Sequence, residues 1–228
     1  MRGLKNKKEL LIVIAPVVAL LAIVAGIILY RREQKFDYGS NMKETVITIG
    51  DTAIKLDEMM YYIYMVEATG QRAALEYDEK HPKKYWNMYM NKEFEDSGFV
   101  TDIAKKTAID YCIRDNIYYM EAVQENFDIS EAEREEIIYD AGELYEKSAR
   151  YKNLQYVDKE VLQEVMLKEA VAHAYMRSLA GEDSVALKNM TEQVDIGGSL
   201  YRQRVQQYKI EKNESLLEKV RVGFVTVN

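Results

Sequence analysis

The sequence predicts a mainly α protein: an N-terminal transmembrane helix, then one helical domain with a small β element formed by strands near that domain's two ends. Three observations carry this reading. Leu10 to Tyr30 is an uncharged run of 21 residues. Between Asp57 and Gly181, apolar residues recur at three- and four-residue spacings, broken by helix-capping signals. Two short β-branched stretches, Thr45 to Ile49 and Val220 to Val227, flank the helical region.

The first element is LLIVIAPVVALLAIVAGIILY, residues 10–30. At about 1.5 Å rise per residue, it is long enough for the roughly 30 Å hydrocarbon core of a bilayer. Pro16 lies near its start, where a lost hydrogen bond is more easily absorbed than at the centre. Val24-Ala25-Gly26 imitates a signal-cleavage site, but Ile27, Ile28 and Leu29 continue the apolar stretch past it, which favours a retained signal-anchor. The only cysteine, Cys112, is far away, so no lipidated N-terminal cysteine arises. Arg2, Lys5, Lys7 and Lys8 precede the run, and Arg31, Arg32 and Lys35 follow it. The balance favours a cytoplasmic N-terminus, residues 1–9, and an extracytoplasmic domain on a single-pass cell-membrane protein. Ala15, Ala19, Ala22 and Gly26 are small residues at near-helical spacing that suit helix pairing, so a homodimer is an expectation.

Residues 31–43 read as a linker and 44–228 as the domain. Charge is divided unevenly between the parts. The chain has 31 basic and 38 acidic residues; the first 35 residues hold 7 and 2 of them, leaving 24 and 36 and a formal charge of -12. Such a surface opposes nucleic-acid backbones and anionic head groups, so no nucleic-acid partner is expected. A single cysteine makes no intramolecular disulfide.

Within the domain, Thr45 to Ile49, the turn Gly50-Asp51 and Thr52 to Ile54 predict two short strands. A helix starts at Asp57, whose carboxylate and that of Glu58 suit a helix N-terminus; it ends near Gly70 or runs to Tyr77. Residues 78–98, with Pro82, Tyr85, Trp86, Tyr89 and Phe94, form an aromatic connector that packs on the domain. Thr101 is the N-cap candidate of a second helix reaching about Glu125. Ser130-Glu131-Ala132-Glu133 is a capping box ahead of a third, and Asp158 caps a fourth that ends at Gly181. Residues 182–200 carry no clear pattern. Tyr208 to Ile210 and Val220 to Val227 read as extended, and the latter is the stretch expected to pair with Thr45 to Ile49.

Few residue combinations support catalysis. His81 and His173 are the only histidines, and neither a Cys/His metal site nor a Cys-His pair is signalled, so no catalytic residue, metal or cofactor is expected. His173 reads as a core or surface histidine of the fourth helix. Gly197-Gly198 lacks the Lys-Ser/Thr of a phosphate loop. No strained nucleophile surrounds Ser40. The acids Glu131, Glu133, Glu135 and Glu136 fit a solvated helix start.

The unusual supply is of tyrosine, 18, and methionine, 11. They are dense in Met59 to Met65 and Tyr85 to Met90 and offer adaptable apolar surface, suited to binding apolar peptide. Seven such residues in succession exceed one face of a helix, so some are expected to line a groove. The candidate peptide-binding residues are Met59, Met60, Tyr62, Ile63, Met65, Tyr85, Trp86 and Tyr89.

The order of these segments resembles the N-terminal chaperone region of SurA/PrsA-like foldases, which is related to the peptide-binding region of trigger factor. The features that carry the resemblance are the strand TVITI, the Gly50-Asp51 turn, Leu56-Asp57-Glu58-Met59 leading to Tyr61-Tyr62, then Tyr85-Trp86, the helix from Thr101, Asn126 to Glu133 and the helix from Asp158. It covers about residues 44 to 180. It implies a SurA-N-like helical domain and a membrane-anchored extracytoplasmic chaperone that binds unfolded or newly exported polypeptides. Two departures stand out: the family's Asn-Gly turn is Gly50-Asp51 here, and the 48 residues after Ala180 are too few for a parvulin-type peptidyl-prolyl isomerase domain and hold neither histidine nor cysteine. The expectation is a non-catalytic member, with an active prolyl isomerase or a scaffold for one envelope partner as the alternatives.

Overall fold

In a computed structural model describing residues 36–91, 97–148, 150–151, 154–181 and 185–223, the run TVITI forms β1 (Thr45–Ile49). Val46, Ile47 and Ile49 of this strand are fully buried. Gly50, at φ +58°, supplies the left-handed turn that returns the chain as β2 (Thr52–Lys55), pairing Ile47 with Ile54 and Ile49 with Thr52. The other edge of β1 is taken by β5 (Ile210–Lys212), also antiparallel, giving the order β2-β1-β5.

The third strand is therefore not the expected Val220 to Val227. After β5 the Asn213 amide still donates to Val46 O, at 2.9 Å, but the Asn213 side chain accepts from Leu216 N and caps α8 (Glu214–Leu217). That cap turns the chain out of the sheet. Val220 is buried without forming a strand, and residues 224–227 lie outside those described.

The chain divides into two units, Met1–Asp37 and Tyr38–Asn228. The second begins inside the expected linker, with α1 (Tyr38–Asn41), whose Tyr38 hydroxyl accepts from Arg221 N at 2.9 Å, and with Met42, 2% exposed.

The helix predicted from Asp57 is α2 (Leu56–Tyr77), which runs straight through Gly70. Glycine is needed there for packing: a Cβ would stand 2.7 Å from the Trp86 ring. Trp86 belongs to a 3-10 helix (Pro82–Asn87) and is wedged between Gly70 and Gly223. Through Trp86 the connector packs on the domain; its Tyr89 is exposed on the hairpin β3 (Tyr89–Met90) and β4 (Gly98–Phe99), and Phe94 lies outside the described residues. Gly70→Ala is expected to lower stability by about 1 kcal/mol in urea unfolding, since overpacking of about 1–3 kcal/mol outweighs a helix-propensity gain of about 1. An increase in stability would show that the indole yields freely.

The helix α3 (Val100–Gln124) starts one residue before Thr101, with Phe99 at the cap position and no side-chain cap. The capping box forms: Glu133 N donates to Ser130 Oγ at 3.3 Å and Ser130 N to Glu133 Oε2 at 3.0 Å, opening α4 (Glu131–Ser148). Asp158 stands at the cap of α5 (Lys159–Ala180) but makes no cap bond; its carboxylate accepts from Lys43 Nζ at 2.8 Å instead. Gly181, at φ +89°, ends α5. The unpatterned stretch folds as α6 (Ala186–Asn189), a wide π turn (Met190–Val194) and α7 (Ser199–Val205).

The long helices α2, α3 and α5 form the body, α3 packing on both others and α4 on α5. Tyr118, Ala122, Ala172, Tyr175 and Met176 fill the space between α3 and α5. The architecture is mainly helical with a small antiparallel sheet.

The expected membrane-spanning element is corrected. Among the described residues, no helix is long and apolar enough to cross a membrane. The long helices have the length but not the composition: α3 alone carries Asp102, Lys105, Lys106, Asp110, Arg114, Asp115 and Glu121. Residues 10–30 lie outside the described residues. The expected transmembrane helix, and with it the single-pass location with an extracytoplasmic domain, has no support among the described residues.

Candidate functional site

The eight residues singled out for peptide binding do not come together on one surface. Met59, Met60, Tyr62 and Ile63 are at most 2% exposed, and Trp86 is buried under α2. The first two turns of α2 are enclosed by β1 and β2, by α3 and by α5, so that Glu58 alone of residues 56–63 keeps some solvent exposure. Only Met65, half-buried Tyr85 and Tyr89 reach the surface. Tyr89 stacks edge-on against Phe99 across the β3-β4 hairpin, ring centroids 5.5 Å apart, and both rings stay largely exposed.

An open groove lies elsewhere, between α3, α7 and β5. Its volume is about 590 Å³, within the range of small-ligand and peptide-side-chain sites. Ile113 from α3, Ile196 from the turn before α7, Tyr201 and Val205 from α7 and Ile210 from β5 form its apolar lining. Asp110, Lys212 and Glu214 complete it with charge. The supply follows from local periods: Tyr201 and Val205 are four apart on a helix, and Ile210 and Lys212 two apart on a strand, so each pair shares a face. Among the described residues, β5 is an edge strand of its sheet, with β1 on one side only.

A second feature is a polar junction where α2, α3 and α5 meet. Arg114, 7% exposed, donates from Nε to Asp115 Oδ1 at 2.7 Å and from one terminal nitrogen to Asp195 Oδ1 at 2.8 Å. Its other terminal nitrogen is 2.9 Å from His173 Nε2. A guanidinium has no acceptor, so that imidazole nitrogen receives the proton and presents its lone pair inward. The guanidinium also lies 4.6 Å above the Tyr111 ring. Glu169, one helical turn before His173, accepts from the Tyr61 hydroxyl. Burial pushes the Glu169 carboxyl up from its ordinary range, an effect the Tyr61 bond opposes.

Neighbouring charges are paired. Lys168 Nζ is 2.9 Å from Glu58 Oε2 and 3.0 Å from Glu164 Oε1, tying α5 to the start of α2. Lys43 joins the buried Asp57 to Asp158, and the bonds to Asp158 and Asp57 hold its ammonium well above the lysine range. Cys112 is fully buried, and burial pushes its thiol up, so it offers no reactive thiolate.

Sequence reasoning missed both features. The groove residues come from four separate elements, and none falls in the tyrosine- and methionine-rich runs. The junction did leave a signal: Glu169 and His173 are spaced i, i+4 on α5, and Arg114-Asp115 interrupts the apolar run Cys112-Ile113 and Ile117. No protein-family model, curated protein or solved structure matches this chain.

Proposed function

We propose that this chain is a non-catalytic holder of unfolded polypeptide, taking apolar side chains of a client into the groove between α3, α7 and β5. The observation that carries the reading is the groove itself, whose five apolar side chains stand beside three charged ones. Apolar lining gives affinity without sequence demand, and charged neighbours keep a loaded complex in water. The exposed Tyr89-Phe99 pair adds a further apolar contact. The edge strand β5 provides backbone to which an extended client can add. The formal charge of -12 over residues 36–228 steers the site toward basic and apolar segments and away from nucleic acid. The resemblance of segment order to SurA/PrsA-like chaperone regions points the same way.

The test is suppression of aggregation of a chemically denatured protein by the full chain in molar excess. Val205→Asp and Ile196→Asp each set an unpaired carboxylate in the groove, and are expected to weaken suppression at least about tenfold in the concentration required, equivalent to about 1.4 kcal/mol. Tyr139→Ser, at an exposed position on α4, is expected to leave it unchanged. Absence of suppression by the wild-type chain at several-fold excess rejects the reading. So does full suppression by the Asp variants.

A further inference from the structure

We propose that Asp115, Glu169 and His173 form a binding site for one first-row divalent transition-metal ion at the junction of α2, α3 and α5. One ligand atom from each of the three lies within 4.8 Å of the other two. A contraction of about 1 Å brings such a triangle to metal bonds of about 2.0–2.2 Å. The two residues on α5 share a face because they are four apart, and Asp115 faces them from α3, so rigid helices and not loops fix the geometry.

A second observation points independently to a ligand. Asp115 is 1% exposed, and its Oδ2 has no hydrogen-bond partner among the described residues. The Tyr62 hydroxyl, equally buried and within the electrostatic reach of Asp115, is also without a partner among them. Buried carboxylate oxygens rarely go unpartnered, because desolvation is then uncompensated. A cation bound by the Asp115 carboxylate supplies the missing interaction.

Charge fits the same conclusion. Asp115, Glu169 and Asp195 bring three negative charges against the one positive charge of Arg114, a deficit of two that a divalent ion fills. His173 Nε2 already directs its lone pair into the cluster, toward the guanidinium. On loading, the ion takes that lone pair and the Arg114 terminal nitrogen gives way at His173, the guanidinium staying paired with Asp195 at the exposed side of the junction. The His173 side chain is 37% exposed, which leaves an entry route from solvent. One imidazole with two carboxylates is a donor set for zinc, manganese or iron(II) in preference to magnesium or calcium, and three protein ligands leave a coordination position for water.

The experiment is titration of the full chain with Co²⁺, followed by its visible absorption bands, with Zn²⁺ binding measured by equilibrium dialysis. One ion per chain at micromolar concentration, a protein-specific Co²⁺ spectrum and displacement by Zn²⁺ are expected. Glu169→Gln and His173→Gln, each checked for retained helical signal and cooperative melting, are expected to weaken binding at least about tenfold. Glu164→Gln, an exposed acid on the same helix, is expected to bind as wild type. Featureless Co²⁺ spectra with no saturable site overturn the proposal, as does a site that survives unchanged in both variants. Client holding is read by a separate assay, so either proposal can fail without the other.

Discussion

Arg114→Met is expected to destabilise the fold by about 3–5 kcal/mol, the range for removing one partner of a buried, hydrogen-bonded ion pair. Methionine retains much of the side-chain volume, so the loss is electrostatic and not a cavity. Its origin is Asp115, whose carboxylate is 1% exposed and takes from Arg114 the only hydrogen bond described for it. Removing the guanidinium strands that charge in the interior. It also unties His173 of α5 and Asp195 of the segment before α7, both of which Arg114 bonds directly. Asp195→Asn is the contrasting change: the Asp195 side chain is 43% exposed, so solvent compensates, and a loss of at most about 1 kcal/mol is expected. Urea unfolding in the presence of a chelator measures both. A loss within about 1 kcal/mol for Arg114→Met would mean that Asp115 is compensated without it.

What was legible in the sequence and what was not divide along the range of the interactions. The reciprocal bonds of Ser130 and Glu133 involve residues three apart, so their spacing states the outcome. The Gly50 turn and the β1-β2 hairpin are local for the same reason. The choice of third strand is not. Val220 to Val227 has the stronger β composition, yet Ile210–Lys212 takes the edge of β1, and Asn213 caps a helix immediately afterwards and turns the chain out of the sheet. Asp158 is a good N-cap by type, but Lys43, far away in sequence, claims its carboxylate. At Gly70, the residue type suggests a helix end, and a ring sixteen positions later turns it into a packing contact.

The candidate site follows the same division. Arg114 and Asp115, adjacent in sequence, resemble an ordinary surface pair, and only the meeting of three helices makes them interior. The groove draws on α3, the segment before α7, α7, β5 and the start of α8, so no window of sequence contains it. The tyrosine- and methionine-rich run on α2 misled because a helical wheel assumes one buried face. Here a sheet covers one side and two helices cover the others.

Met60→Ala separates that reading from one in which the run binds clients. Met60 and Met59 are fully buried, so truncating either leaves a cavity that the enclosing β1, β2, α3 and α5 collapse into only partly. A loss of about 2–5 kcal/mol is expected for each, seen as a lowered urea midpoint with an unchanged slope. Tyr89→Ser, at an exposed ring, is expected to stay within about 0.5 kcal/mol of wild type. Client suppression, measured at a temperature where the variants remain folded, is expected to be the same per folded molecule for Met60→Ala as for wild type. A Met60→Ala chain that keeps its stability but loses suppression would place the client on α2, and so require that helix to expose its first two turns.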